Sequence, residues 1–259
     1  MGGGCRGVYW RAMKSKAIIR LGVRGWKWAC LALLAIAAAR PAWPQGPARS
    51  AELVQRFRAE KVFWKQAEIA KDLIALHDKS VLLDLAPWLT HEDRHIRANV
   101  AYVFAALGDD RGFDSLTAIL HDFSNRPIAQ GGPAYNPSVR QQIEDDRYYA
   151  VHVFGLLKDA RAVGVLVPLL QDKSIGYNVA WALGEIGDKS AISPLIAATY
   201  NDNPDERVIA VDALAKLDAK EALPRLRVLL NDSERCHFGR AIPVSEAAAE
   251  AIKKLEAAP

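Results

Sequence analysis

Four times between Arg97 and Ala219 the chain runs through the same order of apolar and polar positions. The segments are Arg97 to Asp109 (RANVAYVFAALGD), Arg147 to Asp159 (RYYAVHVFGLLKD), Gly176 to Asp188 (GYNVAWALGEIGD) and Arg207 to Ala219 (RVIAVDALAKLDA). In each, the apolar residues fall on one arc at about 100° per residue, as do Val100, Ala101, Phe104 and Leu107, which marks a helix with one buried face. A second apolar stretch follows each segment. It closes on Asp122, Asp172, Asp202 or Asp232, at 15, 15, 16 and 15 residues from the last apolar residue of the first. That spacing predicts two helices joined by a short turn. No segment alternates with period two, and Ala recurs throughout, so strands are excluded. Gly108 and Gly187 stand where a left-handed helix terminus favours glycine, and Pro194 and Pro224 stand where second helices begin.

The pattern extends in both directions. Gln66 to Asp78, feeding a segment that ends at Asp93, predicts a fifth pair, and Ser245 to Leu255 predicts a last, unpaired helix. Ala51 to Leu76 reads as helical throughout, with Leu53, Phe57, Trp64, Ala67 and Ile74 near one side, and is expected to cap the stack. The repeat lengthens at residues 123–138, where Pro127, Gly131, Gly132, Pro133 and Pro137 exclude a helix, and again at residues 235–244. Both insertions fall between one repeat and the next, so both are expected on the same edge of the stack.

The order R-x-x-A-x-x-A-L-G-x-I-G-D, followed by a helix ending L-x-D, is clearest in NVAWALGEIGDKSAISPLI at Asn178 to Ile196. It resembles the HEAT repeats of the phycobilisome-lyase-like type, over roughly Gln66 to Ala258. The resemblance implies an all-α fold, a right-handed α-solenoid of about five HEAT-like helix pairs with a terminal capping helix. It further implies that the first helices line the concave side and that Arg97, Arg147 and Arg207 pair with the closing aspartates. Gly176 interrupts that arginine column. The resemblance fixes no activity, because such arrays host many roles. Bilin lyase activity, known for some proteins of this type, enters by resemblance only.

Charge changes the picture at the N-terminus. Seven of the 34 basic side chains lie in residues 1–39, which hold no Asp or Glu, leaving 27 basic against 30 acidic side chains beyond. A mildly acidic body lacks the basic footprint of a nucleic-acid binder. The basic stretch to Lys27, the apolar run Trp28 to Ala39 and the small residues Ala37 and Ala39 read as a signal peptide over residues 1–39, joined by a linker at 40–50 to a solenoid over 51–259. The apolar run is too short to span a bilayer. Only Cys236 remains beyond the leader, so an internal disulfide is excluded there. A periplasmic or secreted protein with no membrane span after cleavage is expected.

Candidate function is sought on residues that leave the core arc. Three positions per first helix do so, and they place Tyr102, His152 and Trp181 at one equivalent position in three neighbouring repeats, with Tyr149 and Asn178 beside them. Aromatic, amide and imidazole groups on a curved face suit capture of a protein or peptide; packing under a neighbouring helix is the alternative. The segment THEDRH, with His91, Glu92 and His95, invites a metal reading, but it straddles a repeat boundary. Glu144-Asp145-Asp146 reads as a first-turn acidic run that favours a helix dipole, and Cys236-His237 as a surface pair. No catalytic residue, metal or cofactor is predicted. The expectation is an exported, non-enzymatic scaffold that binds a protein or peptide partner on its concave face. A HEAT-like lyase or oxidoreductase acting on a small molecule, and a structural subunit of an envelope complex, are the alternatives.

Overall fold

A computed structural model describes residues 47–125, 138–237 and 241–257. The leader expected at residues 1–39, residues 40–46 of the linker, residues 126–137 of the first insertion and residues 238–240 of the second lie outside the described residues. Among the described residues twelve α-helices follow one another: α1 (Pro47–Ala59), α2 (Phe63–Ala75), α3 (Val81–Leu85), α4 (Arg94–Ala106), α5 (Asp110–Leu120), α6 (Val139–Leu157), α7 (Ala162–Leu166), α8 (Gly176–Ile186), α9 (Ile192–Ala198), α10 (Pro204–Lys216), α11 (Leu223–Leu229) and α12 (Val244–Ala257). Among the described residues the only β pairing is an isolated antiparallel bridge between Arg235 and Pro243.

The fold is an α-solenoid of five helix pairs. First helices α2, α4, α6, α8 and α10, then α12, each pack on the next, while α5, α7, α9 and α11 each lie against the first helix of the following repeat. The apolar arcs seen in the sequence meet in this arrangement: Val100, Ala101 and Phe104, then Ala150, Val151 and Phe154, then Val179 and Leu183 are all buried. Fully burying one such Leu, Val or Phe stabilises by about 1.5–3 kcal/mol, so the stack holds without cross-links.

Second helices are short for a local reason. Pro87 and Pro168 lack an amide proton, and around each the chain tightens into a 3₁₀ turn, Ala86–Thr90 and Val167–Leu169, whereas α5, which contains no proline, runs unbroken. Every first helix ends in a left-handed residue: His77 (φ 53°), Gly108 (φ 80°), Lys158 (φ 55°), Gly187 (φ 83°) and Asp218 (φ 53°). Two of the five are the glycines expected; the other three carry the cost of a Cβ there.

Two element boundaries differ from expectation. The helix expected throughout Ala51 to Leu76 breaks after Ala59, because Val62 is extended (φ −90°, ψ 110°) and its amide donates to Glu60 Oε1 at 2.8 Å. The Gln66 amide secures the corner from inside, donating to the Phe57 carbonyl at 3.1 Å. Conversely α6 begins at Val139, two turns before Arg147, so Glu144, Asp145 and Asp146 stand inside a helix rather than ahead of one.

The arginine–aspartate column implied by the resemblance is present. Arg97 Nη2 lies 2.9 Å from Asp122, Arg147 Nη2 lies 2.6 Å from Asp172, and Arg207 Nε lies 2.9 Å from Asp232. Each aspartate also accepts the amide two residues on, from Ser124 (3.1 Å), Ser174 (2.9 Å) or Glu234 (3.1 Å). In the remaining repeat that turn is made by Asn201, which accepts the Asn203 amide at 2.8 Å, and not by Asp202. Asn201 stands 15 residues after Ile186, so the spacing of 16 read to Asp202 overshoots the true closing residue by one. The same repeat lacks the arginine: a Cβ at Gly176 would sit 2.5 Å from the Leu170 carbonyl oxygen. A neutral amide replaces the carboxylate where no guanidinium can reach it, and Asp202 moves out to the loop tip.

Candidate functional site

The first-helix face carries the predicted ladder. His152 of α6 and Trp181 of α8 stack with ring centroids 4.7 Å apart and planes 11° from parallel. The stack depends on Gly155, one turn after His152, since a Cβ there would meet Trp181 Cζ3 at 2.7 Å. Tyr102 of α4 is half-buried at the equivalent position, and burial together with the Glu68 carboxylate pushes its phenol up. Burial pushes the His152 imidazole down to about 4, with the Lys71 ammonium adding to the effect and Glu185 opposing it. His152 is therefore neutral at pH 7. Glu185 in turn holds Lys216 of α10 at 2.5 Å. The face thus combines a flat ring pair, a phenol and an uncharged imidazole with lysines at the α2 and α10 sides.

Tyr149 and Asn178 sit differently from these three. Tyr149 is 4% exposed and Asn178 3% exposed, both turned into the stack. The Tyr149 hydroxyl donates to Asn99 Oδ1 at 2.5 Å, and Asn99 Nδ2 donates to the Phe63 carbonyl (3.0 Å) and to Gln66 Oε1 (2.9 Å). Asn178 Nδ2 donates to the Tyr148 carbonyl at 2.8 Å. These polar groups hold consecutive first helices together, because their helix position faces the neighbouring first helix rather than solvent.

The structure also assembles a cluster that the sequence reading did not find. Asp146 of α6 receives Arg94 Nη1 at 3.0 Å and faces His95 Nδ1 at 2.6 Å, with all three side chains at most 1% exposed. Gln142 Nε2 donates to Asp146 at 2.7 Å, and Arg94 reaches on to Asp122 at 3.2 Å and to the Ser124 carbonyl. The ring of His95 lies 4.2 Å from Phe63 and 5.6 Å from Tyr149. Burial alone would push His95 down, but Asp146, aided by Asp93 and Asp145, holds it above its ordinary value. The cluster is sealed, so it is a structural joint between α4 and α6.

His91, Glu92 and His95 have the His-Glu-x-x-His spacing, yet α4 begins only at Arg94. His91 accepts the Asp93 amide at 3.0 Å outside the helix, while His95 turns inward to Asp146, so the two imidazoles do not share a helix face. Cys236, expected at the surface, is 2% exposed, and its neighbour His237 points outward.

Residues 138–210 match the profile of HEAT repeats. Among known proteins, the chain is similar to the phycocyanobilin lyase subunit alpha of a Picosynechococcus species, 37% identical over 103 residues, which are 35% of this chain and 38% of that protein. It is also similar to the bilin biosynthesis protein PecE of a Nostoc species, 30% identical over 151 residues, 57% of this chain and 55% of the relative. The PecE of Mastigocladus laminosus is 29% identical over 151 residues, 57% of this chain and 52% of that protein. The chain spans about half or less of the length of these relatives. Their names overturn two expectations, that of a non-enzymatic chain and that of a scaffold as the main function, since proteins built on the same repeats are named for lyase and biosynthetic chemistry on bilins.

Proposed function

Because the chain is a HEAT-repeat protein of the phycobilisome-lyase-like type, we propose that it acts as a lyase on a bilin, a linear tetrapyrrole held along Tyr102, His152 and Trp181 on the first-helix face. The stack of His152 on Trp181, 4.7 Å apart, carries the reading on the structural side. A bilin is a flat conjugated chain of pyrrole rings with carboxylate side groups, which suits an aromatic platform with Lys71 and Lys216 at its sides. His152 is uncharged at pH 7, so the stacked platform beneath the conjugated rings carries no charge of its own. A second protein chain as partner is supported by relatives named as an alpha subunit.

Adding phycocyanobilin to the purified protein tests the reading. Binding should induce visible circular dichroism in the bilin, and Tyr102→Ala should weaken it by about 1–2 kcal/mol, roughly 5- to 30-fold in Kd. A bilin spectrum unchanged by the protein would reject the reading. Export is a separate proposal resting on the basic-then-apolar run of residues 1–39, and fractionation of cells producing the tagged chain checks it.

A further inference from the structure

Away from the first-helix face, the loops after α9 and α11 form an open pocket of about 470 Å³, with Tyr200, Asp202, Arg207, Arg225, Asn231 and Ser233 in its lining. The volume lies within the range of small-molecule sites. The pocket arises where the repeat departs from its pattern: with Gly176 in place of an arginine and Asn201 making the turn, Asp202 stands at the pocket rim and makes no ion pair among the described residues. Arg225 spends two of its groups on Thr199, donating from Nε to Oγ1 at 2.9 Å and from Nη2 to the carbonyl at 2.8 Å. Its guanidinium carbon lies over the Tyr200 ring, 3.7 Å from the centroid. One ring face is thereby fixed and covered, while Tyr200 as a whole stays 65% exposed.

The lining as a whole sums to −1, with two guanidiniums and three carboxylates, and two of the carboxylates share one guanidinium. Arg207 pairs with Asp232 at 2.9 Å and with Glu234 at 2.7 Å, which leaves one guanidinium, Arg225, and one carboxylate, Asp202, to meet a ligand. A simple cation would be repelled by Arg225 and a simple anion by Asp202. A neutral ligand with many hydroxyls meets neither penalty: it donates to Asp202, accepts from Arg225 and exchanges hydrogen bonds with Asn231 and Ser233. The C–H groups of a sugar ring would lie against the exposed edge of Tyr200, beside the guanidinium. We infer that this pocket binds the pyranose ring of a neutral saccharide.

Saturation-transfer NMR on the full chain, with methyl β-D-glucopyranoside and its galactose and mannose counterparts at millimolar concentration, tests the inference. Transfer is expected to at least one of the three, strongest at the ring C–H protons. Tyr200→Ala should weaken binding about tenfold, the size of one good aromatic contact. Asp202→Asn should weaken it less, and thermal melting should show both variants folded. Phycocyanobilin binding should be unchanged in Tyr200→Ala, so failure of one site is distinguishable from failure of the other. The inference is overturned by no transfer to any of the three sugars, by transfer that survives Tyr200→Ala, or by stronger transfer to glycine or to methylammonium than to the sugars.

Discussion

Asp146, two turns into α6, faces His95 of α4 at 2.6 Å across the boundary between two repeats, with neither side chain more than 1% exposed. Arg94 closes on the same carboxylate at 3.0 Å. Removing the carboxylate takes the acceptor from three buried side chains, Arg94, His95 and Gln142. Asp146→Ala should therefore cost about 3–5 kcal/mol in urea unfolding, whereas replacing Arg94, His95 and Asp146 together by Met, Phe and Leu should cost less than that single change. A loss under 1 kcal/mol for Asp146→Ala would show the joint to be dispensable.

The two sides of the pH profile have different origins. Asp172 is held at about 2, where burial would raise it but Arg147 and Ser174 outweigh that, against an ordinary 3.8. Asp122 is also held low, by Ser124, Arg94 and Arg97. A depressed carboxylate stabilises fully above its ordinary pKa, and that stability is lost as pH falls towards the folded-state value. The melting temperature should drop between pH 4 and pH 2, and should drop less in Asp172→Asn. His95 has the opposite sign: with a raised folded-state pKa, its contribution is complete below 6.5 and fades as pH rises through the folded value. Melting of His95→Gln should accordingly be flatter than the parent on the alkaline side.

Lys158 ends α6 at φ 55°, where Gly108 and Gly187 end α4 and α8. Relief of the left-handed strain exceeds the entropy that glycine adds to the unfolded chain. Lys158→Gly should gain about 0.5–1 kcal/mol in chemical denaturation, and Gly187→Ala should lose about 1 kcal/mol. Equal stability across all three proteins would contradict the account.

Gly155→Ala places a methyl 2.7 Å from the Trp181 ring. The ring must tilt off His152, so tryptophan fluorescence should shift, stability should fall by about 1–3 kcal/mol, and phycocyanobilin binding should weaken. Unchanged fluorescence would mean that the stack accommodates the methyl.

The fold was readable because a helix with one greasy arc, repeated every thirty residues or so, has one economical way to bury it. The break at Glu60–Val62 was not, since it turns on one extended residue and on where the Gln66 amide finds carbonyls. Tyr102, His152 and Trp181 were placed by helix position alone, whereas Tyr149 and Asn178 share the helical arc but face the neighbouring helix. The joint of Arg94, His95 and Asp146 joins residues 52 positions apart, and no local pattern reports such a meeting. Asn201 could have been found: an arginine missing at Gly176 and an amide where its neighbours have aspartate are two halves of one change.

That paired change shows how the array tolerates variation. Each guanidinium–carboxylate clasp joins the start of one hairpin to its own end, so a hairpin can surrender its clasp while those on either side keep theirs. The loss stays local because stability in such arrays accrues hairpin by hairpin. A rim position freed from structural duty in this way becomes open to recognition without loosening the rest of the rod.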